Sequence, residues 1–267
     1  CFAGARGTFY WELTANVSNK LSALNVYTVY ECVTAKNEAE RIMPKMITEN
    51  KIDALIVIGQ IKRRYIEMLS HINIPMIFVD FYDNHFNIDS IVSDNYFGGY
   101  MLTDYLVDMG HKQIGFCGTV TATSSIHDRF LGYVKCLMEN KLEYRSEWTL
   151  DDRDEYGNIF SKLDFPEVMP TAFVCNCDET AFRVIAALKS KGCRIPEDIS
   201  VVGYDNFTVS NICIPTITTI EVDLEKMAAA AVEIIMKKLS QPDYTEGRRV
   251  IGGKLIQKNS VLYIGNN

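Results

Sequence analysis

Several things are missing from this chain of 267 residues. No apolar stretch approaches the roughly 20 residues that a membrane-crossing helix needs. The opening Cys1-Phe2-Ala3-Gly4-Ala5-Arg6-Gly7 lacks the charged-then-apolar order of an export signal. Basic residues are outnumbered, with 27 Lys and Arg against 34 Asp and Glu, and they form no long run. Binding nucleic acid unaided takes a surplus of cations to neutralise phosphates, so any DNA contact is expected from a segment outside this chain. Eight cysteines, at 1, 32, 117, 136, 175, 177, 193 and 213, show none of the paired spacings of a zinc site. The cysteines therefore read as small buried hydrophobes, with no metal and no cofactor, in a reducing compartment, the cytoplasm. No glycine-rich phosphate loop occurs. What is present is an apolar content of 48% with 23% charged residues, enough for a large core and unlike a disordered, collagen-like or low-complexity chain.

Strand and helix patterns alternate. Helices are predicted at Phe9 to Leu24, Ala35 to Asn50 with a kink at Pro44, Lys62 to His71, Gly98 to Met109, Arg129 to Asn140, Tyr156 to Lys162, Glu179 to Lys191 and Leu224 to Leu239. Strands are predicted at Val26 to Val33, Asp53 to Gly59, Pro75 to Asp80, Gln113 to Cys117, Thr171 to Cys175 and Ile199 to Gly203. Continuous apolar runs such as Leu55-Ile56-Val57-Ile58 mark strands covered on both faces, as in a parallel sheet. The class is α/β and doubly wound, and so many strands suit two lobes of about 120 residues better than one sheet. Ligands of such sheets sit beyond the carboxyl ends of strands. The loops of interest are therefore Gly4 to Thr8, Gly59-Gln60, Asp80 to Asn84, Gly118 to Asp128, Asn176 to Asp178 and Asp205-Asn206. The chain opens in a strand-to-helix loop with no strand before it, which implies a first strand lying upstream of Cys1.

A set of segments carries a resemblance: Ser93-Asp94-Asn95-Tyr96-Phe97-Gly98-Gly99-Tyr100, Gly110-His111-Lys112-Gln113-Ile114-Gly115-Phe116, Asp128-Arg129-Phe130-Leu131-Gly132-Tyr133, Pro170 to Asp178, Ile195-Pro196-Glu197-Asp198-Ile199-Ser200-Val201-Val202-Gly203-Tyr204-Asp205-Asn206 and Pro215 to Ile220. In this order and spacing they resemble the effector-binding core of the LacI/GalR family of bacterial transcription regulators, and the likeness covers nearly the whole chain. Taken alone, the residues read as scaffold. Gly98 and Gly99 are small where a helix start packs closely, Gly110-His111 ends that helix in a left-handed cap, and Pro196-Glu197-Asp198 turns helix back to strand. The resemblance implies two doubly wound parallel-sheet lobes of periplasmic binding protein type (class I) joined by crossover strands. It assigns residues 1–93 plus 224–251 to an N-terminal effector-binding lobe and 94–223 plus 252–267 to a C-terminal one.

The same likeness points to ligand contacts. Asp80 matches a ligand-bonding carboxylate, whose oxygens accept from adjacent hydroxyls, or else it is a turn aspartate. Arg129 matches an arginine that reaches the ligand with its planar fork of donors, against a helix-start or surface arginine. Asp205 matches another contacting acid, or is a loop cap. Phe9 and Tyr10 either stack on a sugar ring or pack as core. Ser125 matches a hydroxyl contact. Ser124, Ser125, His127 and Asp128 also invite a hydrolase reading, which adjacency along one loop does not support. Cys177 stands where the family carries a side-chain amide, so the usual hexose contacts are in doubt, and Asp178 is expected to cap the helix starting at Glu179.

The function implied is a non-enzymatic ligand sensor. A small-molecule effector, a carbohydrate by family habit, binds between the lobes and changes the operator affinity of a helix-turn-helix headpiece absent from this chain. The assembly implied is a homodimer without membrane contact, and Ala228-Ala229-Ala230-Ala231 offers a flat face either to a mate or to its own sheet. A periplasmic sugar-binding protein of a transport system is the alternative, which the unpaired-looking cysteines disfavour.

Overall fold

A computed structural model describes residues 2–3, 8–154 and 157–265. Along the chain run β1 (Phe2–Ala3), α1 (Thr8–Ala23), β2 (Cys32–Val33), α2 (Ala35–Glu40), α3 (Lys45–Thr48), β3 (Leu55–Ile58), α4 (Arg63–Ser70), β4 (Met76–Val79) and β5 (Asp89–Ser93). Then follow α5 (Asn95–Asp108), β6 (Ile114–Cys117), α6 (Ser124–Glu139), β7 (Thr149–Leu150), β8 (Ala172–Cys175), α7 (Asp178–Ser190), β9 (Ser200–Val202), α8 (Thr208–Ile212), β10 (Thr219–Glu221), α9 (Leu224–Ser240), β11 (Arg248–Ile251) and β12 (Lys254–Ile256).

The chain divides into two compact units, Cys1–Ser93 with Asp223–Ile251 and Asp94–Val222 with Gly252–Asn267, so it passes from one to the other three times. The first unit holds a parallel sheet in the order β11-β5-β4-β3-β1-β2. Its core includes Leu55, Val57, Tyr65, Ile66, Leu69 and Phe78. The second unit holds the parallel sheet β7-β6-β8-β9 and an antiparallel pair, β10-β12. Phe173, Val184, Ile185, Leu188 and Val201 fill its core. The strands β6, β8 and β9 are buried at every residue, which is why they read as unbroken apolar runs.

Four readings of the sequence change. The slot assigned to a strand upstream of Cys1 is occupied by Phe2–Ala3, which pairs with both β2 and β3. A cavity of about 420 Å³, lined from β3, α1, α9 and residues 25–30, lies in the same unit. Only Cys32–Val33 of the Val26 to Val33 run forms a strand, because the two-residue β1 offers no longer ladder to pair with. Tyr27, Val29 and Tyr30 stand exposed instead. The Ala35 to Asn50 helix is two short helices. Arg41 closes the first in a left-handed conformation, and Pro44 precedes the second, where its missing N–H costs nothing. Residues 157–162 of the predicted Tyr156 to Lys162 helix form no helix, while Tyr156 and the loop 4–7 lie outside the described residues. Gly157 takes a φ of 80°, and the Asp154 carboxylate accepts from the Asn158 amide at 2.9 Å, turning the chain back so that Ile159 bridges Arg153.

The buried strand β5 escaped pattern reading because Asp89, Ser90 and Ser93 interrupt it. Asp89 survives there by accepting from the Glu246 and Gly247 amides and pairing with Lys238 at 2.6 Å, which also docks β11. The helix α9 buries Ala228, Ala230 and Ala231 with Met227 and Ile234 inside its own unit, so the alanine face meets the home sheet and α1.

Two glycines set the contact between α5 and α6. A Cβ on Gly99 would lie 2.1 Å from the Arg129 carbonyl oxygen, and one on Gly132 1.9 Å from that of Tyr96. At the end of α5, Gly110 takes φ 92°, its amide and that of His111 returning to Val107 and Leu106 in the Schellman pattern. Gly99→Ala is expected to lower the unfolding free energy by about 1–3 kcal/mol through forced helix separation. Urea unfolding followed by circular dichroism measures this, and a parent-like midpoint would contradict the close approach.

Candidate functional site

Both parallel sheets end in loops rich in polar side chains. In the first unit, Asp80 follows β4 on left-handed backbone, φ 67°, a conformation that aspartate and asparagine tolerate better than most residues. Its amide donates to the Ile91 carbonyl at 2.8 Å, and its side chain is buried. The Tyr10 hydroxyl, from the first turn of α1, donates to Asp80 Oδ2 at 2.9 Å. Gly59, after β3 at φ 83°, leaves room for that ring, since a Cβ there would come 3.1 Å from Tyr10 Cε1. Phe9 meets Tyr10 edge-on with ring centres 5.2 Å apart. Both aromatics are half-buried, so neither is ordinary core.

In the second unit Arg129, on α6, is 6% exposed. Its Nε donates to Asn95 Oδ1 at 2.8 Å, its Nη1 donates to the backbone carbonyl of Asn176, and its guanidinium lies 3.6 Å from the centre of the Tyr204 ring. Asp205 Oδ1 is 3.7 Å from Nη2. Asp205 follows β9 at φ 107°, outside the usual range for a residue with a Cβ, and Asn206 follows at φ 55°. Arg129 and Asp205, named from the sequence, are thus neighbours. Ser125 pairs with Thr123 Oγ1 at 2.9 Å, and Thr123 caps α6 by accepting from the Ile126 amide. His127 is exposed.

Cys177 is the cap residue of α7 but offers no side-chain cap bond; its thiol lies 3.3 Å from Thr180 Oγ1. Asp178 departs from the expected capping role. It is the first residue of α7, and its carboxylate faces the loop after β9, accepting from the Phe207 amide at 2.8 Å and the Thr219 hydroxyl at 2.7 Å. Burial pushes its pKa up to about 6 against the pull of those donors and Lys258.

Sequence reasoning missed a pair after β7. Asp152 is fully buried and accepts from the Thr119 amide, the Asn176 amide group and the Thr180 hydroxyl. Arg153 grips it with two bonds, Nε to Oδ1 at 3.0 Å and Nη2 to Oδ2 at 2.8 Å. Burial alone would raise the Asp152 carboxyl; the Arg153 bonds and charge, with Thr180 and Thr119, overcome that and hold it at about 2. The available signal was the charged run Asp151-Asp152-Arg153-Asp154, which a two-residue strand does not announce as a strand end. Among the described residues no group of three or more His, Cys, Asp or Glu side chains is placed to hold a metal ion. No helix among them is long and apolar enough to cross a membrane.

Known proteins share the family and the fold. Residues 103–261, more than half of the chain, match the periplasmic binding protein-like domain, and the chain belongs to that family. Within it the likeness is to LacI/GalR transcription regulators. The chain is 30% identical over 221 residues to the HTH-type transcriptional repressor PurR of Glaesserella parasuis serovar 5 (strain SH0165), covering 80% of this chain and 65% of that protein. The crystal structure of transcription regulator CcpA of Lactococcus lactis superposes with a TM-score of 0.84 at 18% identity, covering 97% of each chain. A LacI family transcriptional regulator from Enterococcus faecium, with bound ribose, superposes at 0.80 with 19% identity, covering 98% of each. The chain spans about two thirds of the length of the repressor it matches, and the two structural likenesses concern the fold.

The Asp178 geometry sets a pH dependence. Its folded pKa lies above the unfolded value, so its contribution to stability is fully present below the unfolded pKa and lost as pH rises through about 6. Asp178→Asn does not ionise. Its stability relative to the parent is expected to improve from pH 4 to pH 7, and urea midpoints that shift in parallel would contradict the assignment.

Proposed function

We propose that this chain is the ligand-sensing part of a DNA-binding transcriptional regulator. It takes up a small polar effector, a sugar or sugar-like molecule, through the strand-end loops of both units. One observation carries the reading: in each unit a carboxylate stands on positive-φ backbone at the end of a parallel strand, Asp80 beside the Tyr10 hydroxyl and Asp205 beside the Arg129 guanidinium. Oriented, half-shielded acceptors and donors at strand ends are what a polyol needs in place of water. Phe9, Tyr10, Ser125 and Cys177 complete the proposed lining.

The relation to HTH-type repressors supports a regulator over a transport protein, and the ribose bound to a relative of the same fold supports a sugar. In this reading a helix-turn-helix headpiece linked to the chain reads operator DNA in the cytoplasm, and no chemical step is catalysed. The effector acts by binding one arrangement of the protein better than another, a coupling of about 1–3 kcal/mol. The regulator works as a homodimer. Exposed Leu24, Tyr27, Val29 and Tyr30 on the first unit are the surface that supports this, and light scattering at twice the chain mass is the expected result, a monomer mass the opposing one.

A thermal-shift screen over monosaccharides, disaccharides, sugar acids and nucleobases tests the effector. A ligand at 100 times its Kd adds about 2.7 kcal/mol of stability. The shift is expected to vanish in Arg129→Ala and in Asp80→Asn. The second variant keeps a residue suited to φ 67°, so its backbone is preserved while the charge is lost. Unchanged shifts in both variants would remove these residues from the site.

A further inference from the structure

We propose that Arg153 is a specificity-determining residue and that, within the reading above, it selects an effector carrying a carboxylate, a sugar acid rather than a neutral sugar. The argument starts from Asn176, after β8, which holds two guanidinium groups at once. Its backbone carbonyl accepts from Arg129 Nη1, and its side-chain oxygen accepts from Arg153 Nη2 at 3.0 Å. Two cations are thereby brought to one residue at the carboxyl end of the sheet.

Arg153 is braced by Asp152 through Nε and Nη2, and Asp152 spends its remaining capacity on Thr119, Asn176 and Thr180 inside the unit. Among the described residues Arg153 Nη1 makes no hydrogen bond, and the side chain keeps 16% of its surface exposed. With Nε and Nη2 engaged by Asp152 and Asn176, the N–H groups of Nη1 are the donors that stay available to a visitor, on a guanidinium held rigidly in place. Of the groups a small polar molecule can offer, a carboxylate is the strongest acceptor for such a cationic N–H donor, because bonds between charged partners are the strong ones.

Cys177 sits beside this donor, its sulfur 3.9 Å from Arg153 Nη2. Burial pushes its thiol pKa up, Arg153 draws it down and Asp205 pushes it up, so the fields of both charges reach this position. A neutral thiol competes weakly for the guanidinium N–H groups and leaves them to the ligand.

The test compares glucuronate with glucose, galacturonate with galactose and gluconate with glucose, by thermal shift and calorimetry on the parent protein. The acid of at least one pair is expected to bind tighter by about tenfold to a hundredfold, the range of one charge-assisted bond. In Arg153→Gln that preference is expected to disappear while the affinity for the neutral partner stays within about threefold. Because the change strands Asp152, the double variant Asp152→Asn/Arg153→Gln serves if the single one does not fold. Neutral partners that bind as tightly as the acids, or a preference that survives in the variants, would overturn the inference. If sugar acids fail but another polar ligand binds in a manner dependent on Arg129 and Asp80, the inference falls and the sensor reading stands. If nothing in the wider screen binds, both fall.

Discussion

The second unit is organised around a guanidinium kept out of water. Burying a charge is costly unless its donors are met, and Arg129 meets its cost with acceptors from four places. Asn95 opens α5, the Asn176 carbonyl ends β8, and Tyr204 and Asp205 follow β9. The approach of α5 onto α6 at Gly99 brings Asn95 within reach. One side chain thus ties two strand ends and two helices together. Asp205 is a charged partner at 3.7 Å from Nη2.

The first unit reaches a comparable result with other chemistry. Asp80 is an anion on unusual backbone, held by a tyrosine hydroxyl whose ring depends on the space above Gly59. In both units polar side chains are oriented before any ligand arrives, which reduces the ordering cost of binding. Recognition by a few hydrogen bonds needs this preorganisation, because each bond is worth little unless its geometry is set beforehand.

The helices and apolar strands were legible because period and burial coincide: Leu55–Ile58 and Ala172–Cys175 are buried on both faces and read as such. Asp89–Ser93 was not legible, since polar residues interrupt it and the buried Asp89 is satisfied by partners supplied by residues 238–247. Arg129 was recognisable from its segment. Arg153 was not, because its meaning depends on a carboxylate beside it in sequence and an amide 23 positions away. Asp178 looked like a helix cap by position, and the nearby loop after β9 claimed its carboxylate instead.

Composition and local pattern by themselves determined the α/β class, the parallel strands, the small residues at the start of α5 and the identity of the charged residues at strand ends. These follow from short-range sterics and from which faces must leave water. Tertiary structure alone decided which of those charges meet: that Tyr10 serves Asp80, that Asn176 holds two arginines, and that the alanines of α9 turn inward. Such pairings join residues tens of positions apart, and a local pattern carries no record of distances that arise only when the sheets assemble.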